Sequence, residues 1–159
     1  FGLEPRRIDG LWGVLTQPFL HESYGHLASE SLPLVAIGWV LLLSGMRAWL
    51  TVSAAVVVLG GALTWLVAPS GLIVGSSGVV FGWMGYLLAR AYFSRRWQWI
   101  LAAIGVLVFF GTYLGSLLPS FDKHASWQSH VCSFAVGIGV AALLHPRAAS
   151  QRSERPVVS

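Results

Sequence analysis

Residues 75–85 read Gly75-Ser76-Ser77-Gly78-Val79-Val80-Phe81-Gly82-Trp83-Met84-Gly85, a hydroxyl between two glycines at the mouth of a long apolar stretch. Gly78-x-x-x-Gly82 is a small-residue motif that lets two helix backbones approach closely in lipid. Ser77 is therefore either part of a helix contact or a nucleophile set at the start of a membrane helix, and the rest of the chain decides between these.

Composition identifies the solvent. Of 159 residues 55% are hydrophobic and only 10% are charged, with eight tryptophans and a mean hydropathy of +0.69; a soluble domain of this length does not look so. Apolar runs near the roughly 20 residues needed to cross a hydrocarbon core extend over Gly25–Met46, Ala48–Pro69, Gly71–Phe93, Trp97–Leu118 and Trp127–His145. Each is expected to be a helix, which satisfies its own backbone in lipid. The fold class is thus an all-α polytopic membrane protein with five transmembrane helices. Its core covers 25–146, preceded by an extracytoplasmic or interfacial loop, 1–24, and followed by a disordered cytoplasmic tail, 147–159.

Charge sets an orientation. One set of span ends receives Arg47, Arg90, Arg95, Arg96, Arg147, Arg152 and Arg155, whereas the other receives Arg6, Arg7 and Lys123 with Glu4, Asp9, Glu22 and Asp122. Lys and Arg favour the cytoplasmic side, so the first, third and fifth spans run from outside to inside, as expected for a plasma-membrane protein. The sequence pI of 9.8 follows from this asymmetry and calls for the lipid bilayer, not nucleic acid, as the partner. With Pro5, Pro18, Arg6, Arg7 and Asp9, the segment Phe1–Phe19 is neither a span nor a signal peptide, and an outer amino terminus implies a further span upstream. The single Cys132 excludes an intrachain disulfide and reads as a buried, inert thiol.

Polar groups at membrane depth are costly and are functional candidates by default. His26 and Glu30 fall in the first turns of the first span, Ser77 opens the third, and His130 lies one turn into the fifth. All four belong to outer ends, at depths where they can meet in one cavity. A serine needs a base to take its proton, and His130 can do so and later protonate a leaving amine. The oxyanion formed on attack needs donors, which backbone N–H groups around Ser77 and the His26 imidazole can supply. His21, His124 and His145 read as ordinary boundary or loop histidines. His21 and His26 are one residue too far apart for a His-Glu-x-x-His zinc site, so neither metal nor cofactor is expected. Asp122, in a loop, is not an evident third member of a triad. A transporter is disfavoured because no polar path continues to the inner ends.

These residues resemble the rhomboid intramembrane serine proteases over nearly the whole chain. The resemblance rests on Pro18-Phe19-Leu20-His21 and His26-Leu27-Ala28-Ser29-Glu30-Ser31-Leu32-Pro33-Leu34, then Gly75-Ser76-Ser77-Gly78 with Phe81, Gly82 and Gly85, then His130 with Gly137. It implies Ser77 as nucleophile, His130 as its partner, and His26 with the Ser77 backbone as oxyanion donors. Phe81 would lie against the catalytic histidine, and Gly78, Gly82, Ser133 and Gly137 would pack the helices of the dyad. The five spans would be the second to sixth of a six-helix core. Transmembrane proteins, cut near the outer end of their helix, would be the substrates. Three residues depart from the family pattern: Glu30 stands where Asn is usual, Ser129 precedes His130, and Ser133 replaces a glycine. A carboxylate at Glu30 would repel an oxyanion unless protonated, so Glu30 is expected to reduce activity and keeps open a rhomboid-like pseudoprotease that binds transmembrane helices without cutting them. Ser133 is expected to add a hydroxyl to the tightest helix contact, at some packing cost.

Overall fold

The computed structural model describes residues 1–119 and 126–145. Asp122, Lys123, His124, Arg147, Arg152, Arg155 and the tail expected at 147–159 lie outside the described residues. Five long helices follow in order: α1 (Tyr24–Leu42), α2 (Met46–Val67), α3 (Ser77–Ser94), α4 (Trp97–Leu117) and α5 (Trp127–Leu144). All except α3 are long and apolar enough to cross a membrane by length and composition, and the protein is an all-α polytopic membrane protein.

The exception has a physical reason. Residues of α3 are buried nearly all round, from Val79 through Leu87 and on to Ala89 and Ala91, so its glycines, serines and Arg90 face protein and need not be apolar. In α4 only 11% of the membrane-length window is buried, which leaves nearly the whole helix to lipid and explains its higher hydropathy. The third apolar run also begins six residues later than its composition suggests. Gly71 and Gly75 have φ of 152° and 119°, conformations that glycine adopts without steric cost and that cannot continue a helix. Between them Ile73 pairs with Leu3 in an isolated antiparallel bridge, both N–H···O bonds being 2.9 Å.

That bridge belongs to an ordered amino-terminal cap. Short helical turns at Ile8–Gly10, Gly13–Thr16 and Gln17–Phe19 pack over the chain before α3, with Leu3 fully buried. A Cβ on Gly13 would fall on the Leu3 backbone. Arg6 Nη1 donates to the Ala68 carbonyl at 2.6 Å, Trp65 Nε1 to that of Arg7 at 3.0 Å, and Gly75 N–H to that of Gln17 at 2.9 Å. Beside it, Arg7 lies on Asp9 (2.6 Å), and that hydrogen bond holds the exposed Asp9 carboxyl below its usual range.

The most extensive helix contact joins α3 and α5. A Cβ on Gly137 would fall on the Gly82 carbonyl, and one on Gly85 would fall on that of Phe134. Here backbone touches backbone. Val56 of α2, in a π turn at Val56–Gly60, fills the space above Gly82. Ser133 Oγ occupies room left by two glycines. Cβ atoms on Gly60 and Gly78 would lie only 2.7 and 3.2 Å from it.

At the far end of α3, Arg90 Nη1 donates to Tyr86 Oη (2.9 Å), which in turn reaches His145 Nε2 (3.1 Å). Arg90 also lies over the Trp99 ring, 3.6 Å from its centroid, a favourable cation–π arrangement. His145 is therefore part of a hydrogen-bonded chain, not the bystander expected from its position.

Gly137→Val should force α3 and α5 apart. The expected loss is roughly 1–3 kcal/mol or more, typical of overpacking, read as a lowered Tm in detergent. Gly139→Val, where a Cβ meets nothing within 4 Å, should leave Tm nearly unchanged.

Candidate active site

Ser77 is the first residue of α3 and His130 lies in the first turn of α5, so the glycine contact that joins these helices also brings the two side chains together. Ser77 Oγ is 3.0 Å from His130 Nε2. The other ring nitrogen, Nδ1, is 3.1 Å from the carbonyl oxygen of Ser116. A carbonyl only accepts, so Nδ1 carries the proton, Nε2 offers its lone pair, and the Ser77 hydroxyl donates to it. This is the tautomer that a general base requires. Phe81, one turn beyond Ser77, stacks on the imidazole with centroids 4.2 Å apart and planes 22° from parallel. The ring of His130, 5% exposed, is thereby fixed on one face by Phe81 and at both nitrogens by hydrogen bonds.

Glu30 and His26 reach the same place from α1. Ser23 caps this helix, its Oγ accepting from His26 N–H at 3.1 Å, a common N-cap arrangement. Four residues separate His26 from Glu30, so they share a helix face, and His26 Nε2 lies 3.0 Å from Glu30 Oε1. Glu30 Oε2 accepts from Ser76 N–H (2.6 Å) and Ser76 Oγ (2.9 Å), and lies 3.1 Å from His21 Nε2. Both oxygens are thus occupied by donors from three residues. Glu30, only 7% exposed, faces the loop before α3 rather than holding an unpaired charge toward Ser77.

His26, Glu30, Ser77 and His130 line one open cavity of about 330 Å³, together with Tyr113 and Ser126. Ser126 Oγ is buried without a hydrogen-bond partner, and Ser129 is buried beside Gly78. Ser77 leads α3, and the first N–H groups of a helix have no intrahelical acceptor and carry positive dipole charge. The cavity therefore combines a hydroxyl, a base, backbone donors and space for a polar guest. Among the described residues no group of three or more His, Cys, Asp or Glu side chains could hold a metal ion.

Several contributors have little or no signal in the sequence. His21, expected to be an ordinary boundary residue, bonds Glu30. Ser76 gives Glu30 two donors. Ser116 acts through its backbone carbonyl, an atom every residue possesses. Tyr113 Oη approaches the Ser29 carbonyl at 3.4 Å, which is left open because Pro33, four residues on and inside α1, has no N–H to fill it. That last feature was readable in principle from Pro33.

The family model described as the rhomboid domain matches residues 9–147. Uncharacterized proteins of Mycobacterium bovis and Mycobacterium tuberculosis are 33% identical to the chain over 152 residues, which is 90% of this chain and 63% of theirs. One of Mycobacterium leprae is 33% identical over 151 residues, 90% of this chain and 60% of its own. The chain spans less than two thirds of the length of these relatives.

Gly75 has φ of 119°, and a Cβ there would sit 3.0 Å from Glu30 Oε1 and 3.2 Å from His26 Cε1. Gly75→Ala is expected to cost about 1–3 kcal/mol of stability from backbone strain alone. Thermal melting in detergent checks it, and Gly45→Ala, equally left-handed but with open space around it, isolates the strain from the steric clash.

Proposed function

The chain belongs to the rhomboid family, and on that premise we propose that it is an intramembrane serine endopeptidase that cuts transmembrane segments of membrane proteins near their outer end. The reading is carried by one observation: Ser77 Oγ donates to His130 Nε2 at 3.0 Å while Nδ1 is committed to the Ser116 carbonyl.

Chemistry follows from that arrangement. Ser77 Oγ attacks a peptide carbonyl as its proton passes to Nε2, and the imidazolium formed is stabilised by the Ser116 carbonyl. Backbone N–H groups at the start of α3 face the oxyanion. Collapse breaks the C–N bond, His130 gives its proton to the leaving amine, and an ester to Ser77 remains. Water, deprotonated by His130, then attacks the ester and restores Ser77. A Ser116 carbonyl does in part what a carboxylate does in a three-residue triad: it orients the imidazole and selects its tautomer.

Access fits a helical substrate. α4 makes little contact with α1, and an apolar groove of about 690 Å³ runs between them, lined by Leu32, Ile37, Val40, Leu101, Val106 and Phe109. A transmembrane helix that frays at its end could lie along this seam and reach the cavity. The arginine asymmetry read from the sequence supports an outward-facing site in a plasma membrane.

A second reading, a rhomboid-like pseudoprotease that binds transmembrane helices without cutting them, is favoured by one contact. His26 Nε2 is engaged by Glu30 and is not free for an oxyanion.

Ser77→Ala and His130→Ala should each abolish cleavage of a model transmembrane substrate, and a fluorophosphonate probe should label the parent protein but not Ser77→Ala. Full proteolysis by purified Ser77→Ala would refute the assignment, and an unlabelled, folded parent would favour the pseudoprotease.

Orientation has its own test. In a Cys132→Ser background, Ser70→Cys, exposed near the start of α3, should react with an impermeant thiol reagent added to intact cells. Arg96→Cys, exposed at the opposite end, should not; the reverse pattern would turn the site inward.

A further inference from the structure

We propose that Glu30 is a positioning residue: its buried carboxylate clamps the chain before Ser77 to α1, so that it supports the reaction instead of impairing it. This deepens the endopeptidase reading above and rests on it for its kinetic consequence, though not for the clamp itself.

The first argument is the cost of burial. A carboxylate removed from water is expensive unless donors surround it, and this one has four contacts: Ser76 N–H, Ser76 Oγ, His21 Nε2 and His26 Nε2, at 2.6 to 3.1 Å. A set so complete is not a charge aimed at substrate. The second argument is where the donors lie. Ser76 is the N-cap of α3, so the carboxylate fills the place that a capping anion takes at a helix start, and the next residue is Ser77. The third is crowding. The missing side chain of Gly75 brings its backbone against both Glu30 oxygens and His26 Cε1, within 3.2 Å of where a Cβ would be.

Together these contacts hold the loop from two sides. Gly75 N–H is taken by Gln17 O of the amino-terminal cap and Ser76 N–H by Glu30 of α1. The backbone that aims Ser77 Oγ at His130 is therefore fixed on either side of one peptide. His21 packs edge-on to His26, centroids 5.5 Å apart at 76°, and their imidazoles approach Glu30 on different oxygens. A side-chain amide has a single acceptor oxygen and cannot accept from Ser76, His21 and His26 at once. Asn is also a methylene shorter. The Glu30 and Ser76 pair thus works as a unit, and replacing Glu30 by Asn alone should loosen the site, the opposite of what its charge suggests.

The experiment measures cleavage and amide exchange on the same purified proteins. Glu30→Ala and Glu30→Asn should lower kcat about tenfold to hundredfold, the effect of losing charged hydrogen bonds, with KM changed less than about twofold, because the loss is in the chemical step. Glu30→Gln, which keeps one acceptor for Ser76 N–H, should recover part of kcat. Ser76→Ala added to Glu30→Ala should cost almost nothing further, since the two act through one contact. Hydrogen exchange at the Ser76 amide should quicken about tenfold or more in Glu30→Ala, with amides in the middle of α5 unchanged. If Glu30→Ala fails to fold, Glu30→Gln decides the same two measurements. A rise in kcat for Glu30→Asn, or unaltered exchange at Ser76, would overturn the proposal. Should the parent protein neither cleave nor label, the endopeptidase reading falls, and faster exchange at Ser76 would still establish the clamp.

Discussion

Contact between the backbones of α3 and α5 is the constraint on which the rest of the structure depends. In lipid there is no hydrophobic force to draw helices together, so association relies on close packing and polar contacts. Gly82, Gly85 and Gly137 remove the side chains that would hold these two helices apart. Ser77 and His130 sit at the same end of that contact, and their 3.0 Å separation is a consequence of it. On the endopeptidase reading the glycines would act on chemistry although none carries a reactive group, since a displacement of about 1 Å between catalytic partners can cost two orders of magnitude in rate. Val56 and Ser133 complete the contact by filling the space the glycines leave.

Around this pair the remaining elements have separate tasks. α3 is enclosed by its neighbours and α4 is left to the lipid, which is why the central helix is less apolar than the peripheral one. α1 brings Glu30 and His26, and the amino-terminal cap holds the loop on which Ser77 depends. Polar side chains collect at the two ends of α3: a cavity with Ser77, His130, His26 and Glu30 at its start, and the chain Arg90, Tyr86 and His145 near its finish. In low-dielectric surroundings each such group needs a partner. Glu30 and His145 both show the result, an ionisable residue whose role is set by the groups that bond it.

Much of this was legible in the chain. Apolar runs of membrane length, their separation by charged loops, the Gly78-x-x-x-Gly82 spacing, and the recurrence of Ser77, Phe81, His26 and His130 at matching ends of alternate spans are properties of residue type and spacing along one helix. Elementary chemistry then suffices to pair a serine with a histidine. Less legible was the start of α3, because Gly71 to Ser76 is as apolar as the helix that follows, and only the positive φ of Gly71 and Gly75 separates them.

Residue types and their order thus determined a helical membrane protein and which side chains could do chemistry. Tertiary structure alone decided which way those side chains turn. Glu30 was expected to threaten an oxyanion because it lies one turn from His26, yet Ser76 and His21, brought in from other segments, take its oxygens. No acidic third member was evident for His130, and its Nδ1 meets the Ser116 carbonyl instead. The physical reason is common to both: spacing within a helix fixes a face, whereas the donor or acceptor met by that face comes from another segment, and a backbone atom has no identity in the sequence.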